Sequence, residues 1–240
     1  MRYVYLTLLL TLFIWSCGSI TQIGDTNDTT LPFLSNLGVE RGNILSTNFH
    51  QAGTPDLDQK TPLVVSNPQF NKTMYKKYAA LMDRSGVSPY FQYVDSLPVK
   101  PKYFTLEIGD EILLQENFNS VSNKRVRDYI SLENEIGIVT NVSFIYTAVN
   151  ATSLINADGV FLVKDKNGVL SLEVFNEGKK AIIDITDLKV FDYELSNFCW
   201  SLDRYGNPTI ATIVDKPSQC PKGTKNKANK LEKNQSYLKL

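Results

Sequence analysis

Apolar residues recur along this chain in two rhythms. Over residues 68–84, Phe70, Met74, Tyr78, Leu81 and Met82 return every three to four positions, the period of a helix that buries one face. Asn67 stands where an N-cap belongs, Pro68 at the first helical position and Gly86 at the C-terminal stop. The pattern predicts a helix over 68–84. Residues 102–108 and 111–115 are β-rich runs with Gly109-Asp110 between them, which predicts a hairpin closed by a two-residue turn. Residues 122–133 place Val126, Tyr129 and Ile130 on one side of a second helix.

From Ile136 the pattern changes to strands. Residues 136–148, 159–164, 169–175, 180–185, 189–195, 198–203 and 209–214 favour β-branched or aromatic side chains. Asp165-Lys166-Asn167-Gly168, Asn176-Glu177-Gly178 and Tyr205-Gly206-Asn207 punctuate them as turns. Connections this short join only antiparallel neighbours, because a parallel crossover needs a dozen residues or more. The expected class is α+β, an antiparallel β-meander sheet packed with one or two helices. No repeat of fixed period is visible, which excludes a propeller or solenoid reading.

The two ends of the chain carry neither rhythm. Residues 18–60 are rich in Thr, Asn, Asp, Gly and Ser with scattered apolar residues, which reads as a flexible tether over 17–60 that docks at residues 31–37. Residues 221–240 hold Lys222, Lys225, Lys227, Lys230, Lys233 and Lys239 against Glu232, and read as a basic disordered tail. The globular domain is therefore expected over 61–220.

At the start of the chain, Arg2 is followed by an unbroken apolar and threonine stretch from Val4 to Trp15. A helix of about 12 residues rises about 18 Å and cannot cross a hydrocarbon core of about 30 Å. It has the length of a signal-peptide apolar region, expected over residues 1–16. Ile14-Trp15-Ser16-Cys17 then places an aliphatic residue three before a cysteine and a small one immediately before it. This resembles the lipobox of bacterial lipoproteins. The resemblance implies cleavage before Cys17, lipidation of its thiol and acylation of the new amino terminus. Several acyl chains hold a protein firmly where one would be marginal. Gly18 follows the cysteine where many Gram-negative lipoproteins kept at the inner membrane have aspartate, so the resemblance points to the outer membrane of the cell envelope.

Cysteine use fits export. With Cys17 lipidated, Cys199 and Cys220 remain as an even pair in an oxidising compartment, either bonded or left as two thiols. A bond requires the chain to turn after Val214, which Pro217 and Pro221 favour because neither continues a paired central strand.

Composition narrows function mostly by exclusion. The 240 residues are 42% hydrophobic and 21% charged, an ordinary globular balance, and 25 basic residues against 25 acidic ones leave no field that would draw nucleic acid. His50 is the sole histidine and sits in the expected tether, so a Ser-His-Asp triad or a multi-histidine metal site has no material. The phosphate-loop, nucleophile-elbow and dinucleotide signatures do not occur. Asp165-Lys166-Asn167-Gly168 has the opening spacing of a calcium loop, but position twelve is Asn176 where a bidentate glutamate belongs. No cofactor or metal is expected.

Two aromatic groups each offer either a ligand platform or core packing: Tyr90, Phe91 and Tyr93 in a proline-framed loop, and Trp200 with Tyr205 around the hairpin that bears Cys199, where alternation along residues 198–203 places Trp200 on a core face. The expected function is a non-enzymatic binding or structural module for an envelope protein or glycan. The alternative is an envelope glycan hydrolase using paired carboxylates such as Asp110 with Glu111, Glu133 with Glu135, or Asp192 with Glu194. An inhibitor or immunity-type lipoprotein is a further alternative.

Overall fold

The computed structural model describes residues 31–42, 47–146 and 148–231. Cys17, the expected signal peptide, residues 17–30 of the expected tether and residues 232–240 of the expected tail lie outside the described residues. In chain order the elements are β1 (Leu37–Gly42), β2 (Thr47–Gly53), β3 (Thr61–Ser66), α1 (Lys72–Arg84), β4 (Phe104–Ile108), α2 (Glu111–Asn119), α3 (Lys124–Leu132), β5 (Gly137–Ile145), α4 (Ala148–Ile155), β6 (Gly159–Lys164), β7 (Leu170–Asn176), β8 (Lys179–Asp184), β9 (Lys189–Leu202) and β10 (Pro208–Val214). Among the described residues the fold is α+β: ten strands in one antiparallel sheet, with four helices.

The sheet runs β10-β9-β5-β4-β3-β6-β7-β8, with β1 beside β5 at Leu37 and Gly38, and β2 beside β1 alone. Strands β6, β7 and β8 form a meander, and β9 and β10 a hairpin. Between β8 and β9 only residues 185–188 intervene, although six strand steps separate the two in the sheet. A flat sheet would put them about 29 Å apart, whereas five residue steps reach at most about 18 Å. The sheet must therefore coil, as accumulated strand twist allows, until its two ends approach. Leu106, Ile138, Val142, Phe144, Leu162 and Leu172 are fully buried in the main core, which Leu114 and Phe118 of α2 close from outside.

Several elements depart from the sequence pattern for identifiable reasons. Helix α1 starts four residues late: Asn71, not Asn67, is the cap, its side chain accepting from the Met74 amide at 2.9 Å. Residues 68–70 are instead extended, with the Phe70 amide donating to the Pro101 carbonyl and the Tyr103 amide to that of Pro68. The expected 102–115 hairpin does not form. Asp110 accepts from the Leu113 amide at 2.9 Å and opens α2, with Leu114 and Phe118 one turn apart on its buried face. Removing that cap in Asp110→Ala should cost about 1 kcal/mol, read as a lower urea midpoint at constant m-value. The expected strand over 136–148 ends at Ile145, and α4 follows. The two strands expected at 189–195 and 198–203 are one, because Ser196 is buried in the ladder with its hydroxyl 2.7 Å from that of Thr140.

Both expected disordered ends are folded where described. In the expected tether, Phe33, Leu34 and Leu37 are core residues, and the Ser35 amide and Asn36 carbonyl pair with Val139. Residue 56 is stapled to α3 by a reciprocal pair of 2.8 Å bonds with the Asn123 side chain. In the expected tail, Trp200 and Lys225 exchange both backbone hydrogen bonds, Ala228 is buried and Leu231 packs on the core. Backbone pairing asks little of side-chain polarity, and a lysine can lay its stem along the protein with its ammonium in water. A 3-10 turn, Pro217–Gln219, brings Cys220 back to β9, where Cys199 and Cys220 form a disulfide with α-carbons 5.5 Å apart.

Candidate functional site

An open groove of about 920 Å³ lies among the described residues. Its walls come from residues 31–36, from β2, from the end of α1 through Val87, and from the β8–β9 connection. Leu31, Phe33, Leu81, Met82, Ile185 and Leu188 supply apolar lining, while Asn36, His50, Gln51, Thr186 and Lys189 supply polar groups. A mostly apolar cleft with a few polar groups is the usual form of a binding site. A second cavity, beside Trp200 and Pro217, is only about 50 Å³ and suits a few waters.

Strand β2 gives the groove its character. Phe49, His50 and Gln51 are consecutive, yet all three line the same groove. Alternate side chains of a strand point to opposite faces, so three in a row can meet one cavity only along the strand's edge. That edge is open, since β2 pairs with β1 and with no other described strand. The Phe49 ring packs edge-on against Tyr193, with centroids 5.6 Å apart. Burial, and then a hydrogen bond with Glu40 of β1, push the Tyr193 phenol far above its ordinary range, so it stays protonated and β1 is held by a neutral donor.

No carboxylate is among the groove-lining residues. The Ser85 hydroxyl donates to the Leu81 carbonyl and the Thr186 hydroxyl to Asp184, so neither is aimed at His50. The groove thus offers a surface for binding and no assembled nucleophile and base. The carboxylates of the hydrolase reading lie elsewhere. Asp110 caps α2 and Asp192 pairs with Lys77 at 2.7 Å. Burial, followed by the charges of Asp192, Asp215 and Glu107, raises the pKa of Glu194 on the same strand.

The two aromatic groups differ in exposure. Trp200 is 3% exposed and part of the core, so it is withdrawn from any ligand surface, while Tyr205 is 72% exposed with the Arg204 guanidinium 4.7 Å over its ring. At the other end of β9, Phe91 stacks on Tyr78 and Tyr93 on Tyr75, at 5.1 and 5.5 Å. Tyr90 projects outward, with the Lys189 ammonium 5.0 Å above its ring and bonded to its hydroxyl. From Lys189, which contacts Tyr90, to Trp200 is eleven residue steps of one strand, about 36 Å if straight, so the two groups cannot share a small ligand. Sequence reasoning missed the groove because His50 and Gln51 lay in a stretch without a period. The one local signal was Phe49, an aromatic residue in otherwise polar surroundings. Comparison with protein-family models, with curated proteins and with solved structures finds no match to this chain.

Proposed function

We propose that this chain is a lipid-anchored, non-catalytic binding module of the bacterial envelope, held at the membrane through Cys17, whose groove takes an extended segment of a protein partner. The observation that carries this reading is the open edge of β2 along an apolar groove. Strand addition uses unpaired backbone groups for affinity and apolar pockets beside them for selectivity. A glycan fits less well, because the one groove-lining ring on β2, Phe49, is occupied edge-on by Tyr193.

A photo-crosslinking amino acid at Gln51 in the intact chain should give one discrete protein adduct in bacterial envelopes, whereas the same group at exposed Val169 should give none. With that partner added, backbone amides of β2 should exchange at least about tenfold more slowly, as new ladder bonds require. Turnover of a glycan by the purified chain, with no adduct at Gln51, overturns the reading in favour of a hydrolase.

A further inference from the structure

The segment between Ser85 and Lys102 contains no helix or named strand, yet it is tightly pinned. The Val87 amide donates to the Met82 carbonyl, the Tyr90 amide to the Tyr78 hydroxyl at 2.9 Å, and the Tyr75 hydroxyl to the Phe91 carbonyl at 3.0 Å. Phe91 and Tyr93 turn inward onto α1. Their neighbours turn outward: Val87, Tyr90, Val94, Leu97 and Val99 are all exposed, Val99 at 77%. These are five of the fourteen exposed large apolar residues among the described residues, gathered within thirteen positions, while the rest are scattered. Scattered apolar residues need no explanation, but a rigidly held cluster does.

Charge separates the candidate occupants. Residues 72–102 carry Lys72, Lys76, Lys77, Arg84, Lys100 and Lys102 against Asp83 and Asp95, a net +4. Asp95 is engaged by Lys100 and by the Tyr93 hydroxyl, and from β9 Lys189 joins the group through Tyr90 and Asp192 through Lys77, which together leave the sum unchanged. Residues 31–71 and 103–231 together hold sixteen cations and twenty acids, a net −4, so the excess of positive charge is local to this region. The buried centre of a protein interface is depleted in lysine. The boundary of a membrane is where lysines, tyrosine and aliphatic side chains occur together, because the ammonium groups meet lipid phosphates while the apolar tips enter the acyl boundary.

We propose that the loop over residues 85–102 is a membrane-contact element that seats against an anionic lipid surface beside the groove, with which it shares Val87. It would complement a lipid on Cys17 by fixing which side of the domain faces the bilayer.

The test uses the full chain carrying Val94→Trp, mixed with vesicles of phosphatidylglycerol and phosphatidylcholine brominated near the head-group end of their acyl chains. Its emission is compared with that of the parent chain, whose tryptophans are Trp15 and Trp200. Val94 is exposed, so the substitution leaves the core intact. The added emission should be blue-shifted and quenched. Neutralising Lys72, Lys100 and Lys102 to glutamine should weaken the quenching-derived affinity by about fivefold per lysine. Val94→Trp emission left unquenched overturns the proposal, whether the chain floats with the vesicles or stays behind. Equal quenching on purely zwitterionic vesicles, unaffected by the lysine changes, overturns it too. Shielding of the loop only when a second protein is added would make it a protein interface instead.

Discussion

Phe70→Ala should destabilise the folded chain by about 3–5 kcal/mol, the range for deleting a buried aromatic side chain without collapse of the site. Phe70 is 1% exposed and its ring lies within 4.8 to 6.2 Å of the rings of Tyr75, Tyr78, Phe91, Tyr103 and Phe191. Those five come from α1, from the 85–102 loop, from the segment before β4 and from β9. This second core is what fastens the helix and the loop to the outside of the sheet. At about 2–4 °C per kcal/mol for a domain of this size, Tm should fall by roughly 6–20 °C. The near-UV tyrosine signal should shrink in the native state as the loop loosens. Phe70→Leu, which keeps most of the volume and loses the ring geometry, should cost about 1–2 kcal/mol. A Tm within 2 °C or so of the parent for Phe70→Ala would show that this cluster does not hold α1.

Cutting the Cys199–Cys220 bond should have the next largest effect. The bridge joins residues 21 apart, and a closed loop of that size contributes about 3 kcal/mol on the chain-entropy account. Cys220→Ser is the cleaner variant, because Cys220 is half-buried whereas Cys199 is fully buried and a serine there would add an enclosed hydroxyl. Its Tm should fall by roughly 6–12 °C, and Cys199→Ser should fall further. A reductant should lower the parent by the same amount and leave either variant unchanged. Amide exchange should quicken most at Lys225 and Leu231, since the exchange of hydrogen bonds between Trp200 and Lys225 depends on the chain being brought back at Cys220. Two titratable thiols in the untreated parent would refute the bond.

Much of the strand half of the fold was legible because its information is local. Alternation and turn residues place β6, β7, β8 and β10 within a residue or two, and the Asp165 carboxylate accepts from the Asn167 and Val169 amides in the turn that its sequence predicts. The pairing partner of Cys199 on β10 lay one residue beyond the simple register: a hairpin with Pro208 opposite Leu202 sets Cys199 opposite Ala211, and a register shift between Ile210 and Thr212 makes the partner Thr212. The helices were harder. Asp110 begins either a turn or a helix, and only the burial of Leu114 and Phe118 against the sheet selects the helix. Asn67 and Asn71 are equally good caps, and the bridge between Gln69 and Lys102 decides between them. The candidate site was the least legible part: of the residues named for ligand contact, Trp200 is core, Tyr205 is remote, and none lines the groove.

The sequence by itself determined the α+β class, the antiparallel pairing of the late strands, the even cysteine pair and the lipobox-like start, because each follows from residue type and short spacing. Only the tertiary structure decided that residues 31–42, 47–60 and 221–231 belong to the fold, that the sheet coils to bring the end of β8 near the start of β9, and that a groove opens along β2. Those outcomes rest on backbone hydrogen bonds that residue type does not announce, from Lys225 on Trp200 to Ser35 on Val139. Backbone groups are the same in every residue but proline, so polar segments with no hydrophobic period join a sheet wherever an unpaired edge meets them.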